Sequence, residues 1–149
     1  MNKELRTILR QGKDFEILEP FRFYFRGDCE ALRNIPSNSE ILQLDEFKGE
    51  LFIEVPKGFK TDFGSVPQLF QSLLSPVGKP TKAYVLHDYL CELAQEGHLK
   101  RKVADDVFLS ALRILGIGKI QRVVIYASVR FYALCFKPIL NLIKRRNNG

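Results

Sequence analysis

The hydrophobic period changes once along this chain, and that change restricts the fold more than any single motif does. Pro20–Gly27 reads PFRFYFRG, in which Phe21, Phe23 and Phe25 alternate with Arg22, Tyr24 and Arg26. A period of two is that of a half-buried strand. Glu40–Leu44 and Glu50–Val55 read as two further strands, joined through Phe47-Lys48-Gly49 as a hairpin. From Thr81 onward the period becomes about 3.6 residues. Thr81–Gln95 gathers Val85, Leu86, Tyr89, Leu90 and Leu93 on one arc. Lys102–Leu115 gathers Ala104, Val107, Phe108, Ala111, Leu112 and Leu115, and Ile120–Phe136 gathers Ile120, Val123, Val124, Ala127, Phe131, Leu134 and Cys135. Strands first and helices later is an α+β order, not alternating βαβ. The expected architecture is therefore α+β: a small N-terminal antiparallel sheet packed on a C-terminal helical bundle of three main helices. At 149 residues the chain fits a single domain, 1–149, long enough to bury its own core.

Shorter segments add detail. Met1–Gly12 reads as a short amphipathic helix, with Leu5, Ile8 and Leu9 on one side. Pro56, Gly58 and Gly64 are turn residues. Ser65, followed by Gln68, fits a capping box that starts a short helix through Leu74, and Ser75–Pro80 breaks it. The third long helix carries a second apolar face of Ile125, Val129, Tyr132 and Phe136. A helix that is apolar on two sides is deeply buried or meets a partner. It is not expected to span a membrane, because Arg122, Arg130, Lys137 and Pro138 interrupt the run.

Charge divides the chain unevenly. Residues 1–96 carry 12 Lys+Arg against 15 Asp+Glu, whereas residues 97–149 carry 11 against 2. A basic C-terminal half suits phosphate contacts, in lipid headgroups or nucleic acid, or is simply a solvated positive face. The three cysteines, Cys29, Cys91 and Cys135, have no metal-knuckle or CxxC spacing and read as free thiols in a reducing cytosol. The start, MNKELRTILRQGKDFEIL, has no long apolar run before small residues and is not read as a secretory signal.

The chemistry-bearing residues lie in VLHDYLCELAQEGHLKRKVADDVFLSALRILG, Val85–Gly116. Successive helical residues turn by about 100°. His87 falls at the edge of the first apolar arc and Asp88 on its polar side. On the second helix Asp105 lies at the arc's edge, while Asp106 points toward water. The short Glu96–Arg101 connection favours an antiparallel hairpin, in which His87 and Asp105 can meet. A histidine can take a proton from water near neutral pH. A carboxylate on its other ring nitrogen fixes the tautomer and stabilises the imidazolium. Asp88, projecting elsewhere, can hold a hard cation such as Ca²⁺. The alternative is a structural ion pair, which perturbs pKa values without catalysing anything. Other schemes lack parts. A metal-dependent His-Asp phosphohydrolase needs an upstream histidine, and the only other one is His98 in the hairpin loop. Zinc ligand spacing, a GxSxG elbow at Ser65 and a Gly-rich phosphate loop are all missing.

In order, VPKGFKTDFGSVPQLF, VLHDYL, RKVADDVFLSALRILG and YASVRFY resemble the domain-of-unknown-function family numbered thirteen fifty-three, common in tailed phages and prophages. The resemblance runs from about Val55 to Tyr132 and implies a phage or prophage origin. Cys91 stands where that family usually has an aromatic residue, and Leu112 where it often has Met. HD followed by AD-x-x-F also resembles the core of the phospholipase A2 group. That second resemblance implies that His87 activates water, Asp105 orients it and Asp88 binds calcium. Asp62, in Thr61-Asp62-Phe63-Gly64, is then the upstream candidate for a second calcium ligand, and otherwise caps a turn.

Two readings result. One is a calcium-assisted hydrolase of lipid ester, acting in the host cytosol or a virion, with its C-terminal helix on a membrane lipid surface. The other is a non-catalytic virion, assembly or host-interaction protein that meets another phage protein through that helix. Nucleic-acid binding rests only on the basic half, and no recognition motif supports it.

Overall fold

A computed structural model describes residues 5, 7–9, 15–61, 80–131, 134 and 137–147. Among these residues, six strands precede four helices: β1 (Thr7–Leu9), β2 (Phe15–Ile17), β3 (Phe21–Phe25), β4 (Leu42–Asp45), β5 (Glu50–Val55), β6 (Lys60–Thr61), α1 (Thr81–Gln95), α2 (Arg101–Ile114), α3 (Lys119–Phe131) and α4 (Lys137–Asn147). A 3₁₀ turn, Glu30–Asn34, separates β3 from β4. The architecture is α+β.

The strands form two three-stranded antiparallel sheets, ordered β1-β2-β6 and β3-β5-β4, rather than the single sheet expected. The Thr7–Leu9 segment, read above as helical, is a strand paired with β2, Ile8 opposite Glu16. A three-residue strand is too short to show alternation, so its partner decides its conformation.

The second sheet carries the phenylalanines. Phe21, Phe23 and Phe25 of β3 pair with Val55, Ile53 and Leu51 of β5. The three rings are buried, whereas Arg22 points out and its Nε donates to Glu54 Oε2 at 2.6 Å. The β4–β5 hairpin closes where Asp45 Oδ1 accepts the backbone N–H of Phe47 and of Lys48. Gly49 takes a φ of 65° there, a conformation glycine adopts without steric cost.

The helices stack on these sheets in chain order: β5 and β6 touch α1, α1 packs on α2, and α2 packs on α3. Between α1 and α2 the chain reverses at Gly97. Its N–H donates to Ala94 O, and that of His98 to Leu93 O at 2.9 Å. This pattern, with Gly97 at φ 87°, is a Schellman close. It brings Val85, Leu86 and Leu90 against Val107, Phe108, Ala111 and Leu112, all fully buried.

The roll of α3 differs from expectation. Ile125 and Val129, the second apolar face, are buried, while Ile120, Val123, Val124 and Ala127 are exposed. Two polar anchors one turn apart set this orientation. Tyr126 Oη donates to Asp106 Oδ1 at 2.7 Å, and Arg130 Nη1 donates to Asp105 Oδ2 at 2.9 Å. Asp106 is thus partly covered by α3 instead of standing in open water. Asp62, the proposed Ser65–Leu74 helix, Tyr132, Cys135 and Phe136 lie outside the described residues.

Candidate active site

His87 and Asp105 come from adjacent helices into direct contact. His87 Nε2 lies 2.7 Å from Asp105 Oδ1, and both side chains are buried. The imidazole is stacked on Phe108, centroids 4.5 Å apart and planes 28° apart. Phe108 follows Asp105 by three residues, so one face of α2 supplies both the carboxylate and the platform for the ring.

Asp105 has zero exposure and is saturated by donors. Oδ1 also accepts from Arg101 Nε at 3.1 Å, and Oδ2 from Arg130 Nη1. Burial pushes its carboxyl up. The hydrogen bonds from His87 and Arg130 and the charge of Arg101 outweigh that and hold it at about 2. Burial lowers the pKa of His87, and the attraction of Asp105 only partly restores it. The positive charge of Arg101 adds a smaller push in the same direction as burial.

These two states fix the tautomer. An ionised carboxylate can only accept, so Nε2 carries the hydrogen and the lone pair lies on Nδ1. Among the described residues Nδ1 makes no hydrogen bond. Cys91, one turn along α1, puts its Sγ 3.4 Å from Nε2 and is half-buried.

Asp88 lies outside this contact. Its Oδ2 accepts from Thr61 Oγ1 at 2.5 Å, which ties α1 to the end of β6. Its charge also reaches Tyr84, one turn back. Burial first, then Asp88, pushes that phenol up to about 12, so it remains a donor. Tyr84 Oη is buried with no hydrogen-bond partner among the described residues, and its ring meets Phe108 at 5.4 Å. Such an orphan is uncommon in a native interior.

Metal ligation can be weighed on the donors present. His87, Cys91 and Asp105 offer atoms all within 4.8 Å of one another. A divalent ion among them would sit against the guanidiniums of Arg101 and Arg130, which is electrostatically unfavourable. Calcium takes about six to eight oxygens. Among the described residues, the Thr61 hydroxyl is one oxygen that lies beside the Asp88 carboxylate.

Arg101, Arg130 and Tyr84 make contacts at or beside the site that the sequence reading did not assign. Arg101 stands four residues before Asp105, an i,i+4 spacing from which the pair could have been read. Tyr84 stands one turn before Asp88, a readable helical stripe. Arg130 lies 25 residues beyond Asp105 and gives no local signal.

Residues 40–129 match the family described as Protein of unknown function (DUF1353). The chain belongs to that family. The DUF1353 region runs from just before β4 to the last turn of α3, and so contains His87, Asp88, Cys91, Arg101 and Asp105. Arg130 stands one residue past it. No curated protein and no solved structure matches the chain significantly. Among the described residues, no helix is long and apolar enough to cross a membrane.

Proposed function

We propose that this DUF1353 chain is a hydrolase in which His87 is the general base and Asp105 its orienting partner. The observation carrying the proposal is the 2.7 Å contact between the buried imidazole of His87 and the buried carboxylate of Asp105. Nδ1 takes a proton from water as its oxygen attacks an ester carbonyl. Asp105, through Nε2–H, offsets the positive charge that forms on the ring. When the tetrahedral intermediate collapses, the same proton passes from Nδ1 to the departing alkoxide. A lipid ester is the substrate class to test first, since the basic half of the chain suits an anionic interface.

The calcium component assigns Asp88 and Asp62 as ligands. Calcium calorimetry on wild type and Asp88→Asn tests it apart from the dyad. Heat only in the wild type supports the site, and none in either removes calcium from the scheme.

His87→Ala should reduce ester release by at least about a hundredfold while the circular dichroism stays native. Undiminished turnover in that variant removes the mechanism.

One observation favours a second reading, that of a non-catalytic phage virion, assembly or host-interaction component. Asp105 binds side chains from α1, α2 and α3 at once, as a structural fastener would. In that reading His87→Ala changes stability, and the wild type releases no ester.

A further inference from the structure

The outward face of α3 and the described part of α4 share a chemistry that the dyad does not use. Ile120 is 83% exposed, Val123 58% and Val124 37%, and Ala127 extends the same stripe at helical spacing. Leu134, Leu142 and Ile143 add three more exposed aliphatic side chains. Beyond Asp106 the sequence contains no Asp or Glu and eight Lys or Arg. Lys119 flanks the α3 stripe, and Lys144, Arg145 and Arg146 adjoin Leu142 and Ile143 in the exposed part of α4.

We infer that the apolar stripe of α3, with the basic-aliphatic turn of α4, docks on an anionic lipid surface. Charge complementarity selects this occupant. A second copy docked through the same face would bring Lys119, Lys144, Arg145 and Arg146 against the same four cations. A nucleic acid would use the basic residues but leave the aliphatic stripe in water. An anionic bilayer satisfies both, with aliphatic side chains in the acyl boundary and cations at the headgroups. The geometry is that of a helix lying on the surface, since no helix among the described residues is long and apolar enough to cross.

The roll of α3 makes the face persistent. Tyr126 and Arg130 hold the opposite side on Asp106 and Asp105, so Ile120 and Val123 cannot turn inward without breaking both anchors. The inference stands apart from the hydrolase reading, because lipid binding needs no turnover.

The test is co-sedimentation of the full chain with phosphatidylcholine vesicles, with and without about 30 mole per cent phosphatidylglycerol, an anionic lipid that gives the surface a negative potential. Binding to the anionic vesicles only, weakened by salt, is expected. The double variant Ile120→Asp/Val123→Asp, both exposed positions, should weaken it at least about tenfold with unchanged circular dichroism. Lys144→Gln/Arg145→Gln/Arg146→Gln should weaken it comparably, and His87→Ala should bind as wild type. Equal binding to neutral vesicles, no binding to either, or binding indifferent to the aspartates would overturn the inference. So would self-association, or DNA binding, that consumes the same stripe.

Discussion

His87 and Arg130 hold opposite oxygens of a single carboxylate. The imidazole is 2.7 Å from Asp105 Oδ1 and the guanidinium 2.9 Å from Oδ2. One buried anion thereby couples α1 to α3 through α2. The same anion fixes the ring that the proposed chemistry uses and the helix roll that exposes the apolar stripe.

That coupling predicts an asymmetry between the two arginines. Arg130 is the partner of Oδ2 among the described residues, whereas Arg101 shares Oδ1 with His87. Arg130→Leu should lower unfolding free energy by about 3 kcal/mol, the scale for stranding a buried charge. Arg101→Leu should cost about half as much. Urea unfolding of the two variants checks the order, and equal losses would mean that Oδ2 has no special dependence on α3.

Stability should fall in two steps with acid. The folded pKa of His87 lies below its ordinary 6.5, so the unfolded chain takes up the proton first. Stability is full above about 6.5 and declines as pH falls through that value. Asp105 behaves in the depressed-carboxylate sense. Its contribution is present above 3.8 and is lost as pH falls toward 2, on the order of 2 kcal/mol. Urea midpoints between pH 8 and 2 should show both, with the upper step reduced in His87→Gln.

Tyr84 offers a stabilising substitution. Among the described residues its hydroxyl is buried and unpaired, while its ring packs on Phe108. Tyr84→Phe keeps the ring and removes the unsatisfied group, so stability should rise by about 1 kcal/mol. A comparable loss, read by thermal melting, would mean that the hydroxyl is satisfied in solution.

Sequence patterning carried the fold a long way in some places and failed in others for identifiable reasons. The alternation in PFRFYFRG marks β3, and the apolar arcs of α1 and α2 coincide with their buried faces. These are local signals. Thr7–Leu9 as a strand and the division into two sheets depend on pairing between distant segments, which no window of sequence contains. The roll of α3 was misjudged because apolar count favoured the Ile120–Val123–Val124 side. Two polar contacts, Tyr126 to Asp106 and Arg130 to Asp105, outweighed it. At the site, helical spacing was enough to bring His87 near Asp105. It could not supply Arg130, whose place at Asp105 comes from the packing of α3 on α2.

The account depends on His87 standing as a neutral Nε2–H imidazole with a free lone pair on Nδ1. Proton–nitrogen correlation NMR of the two histidine rings, assigned with His98→Gln, reads this without a substrate. The prediction is an Nε2–H signature for His87 at pH 7, persisting below 6.5. An Nδ1–H tautomer, or an imidazolium at neutral pH, would contradict it.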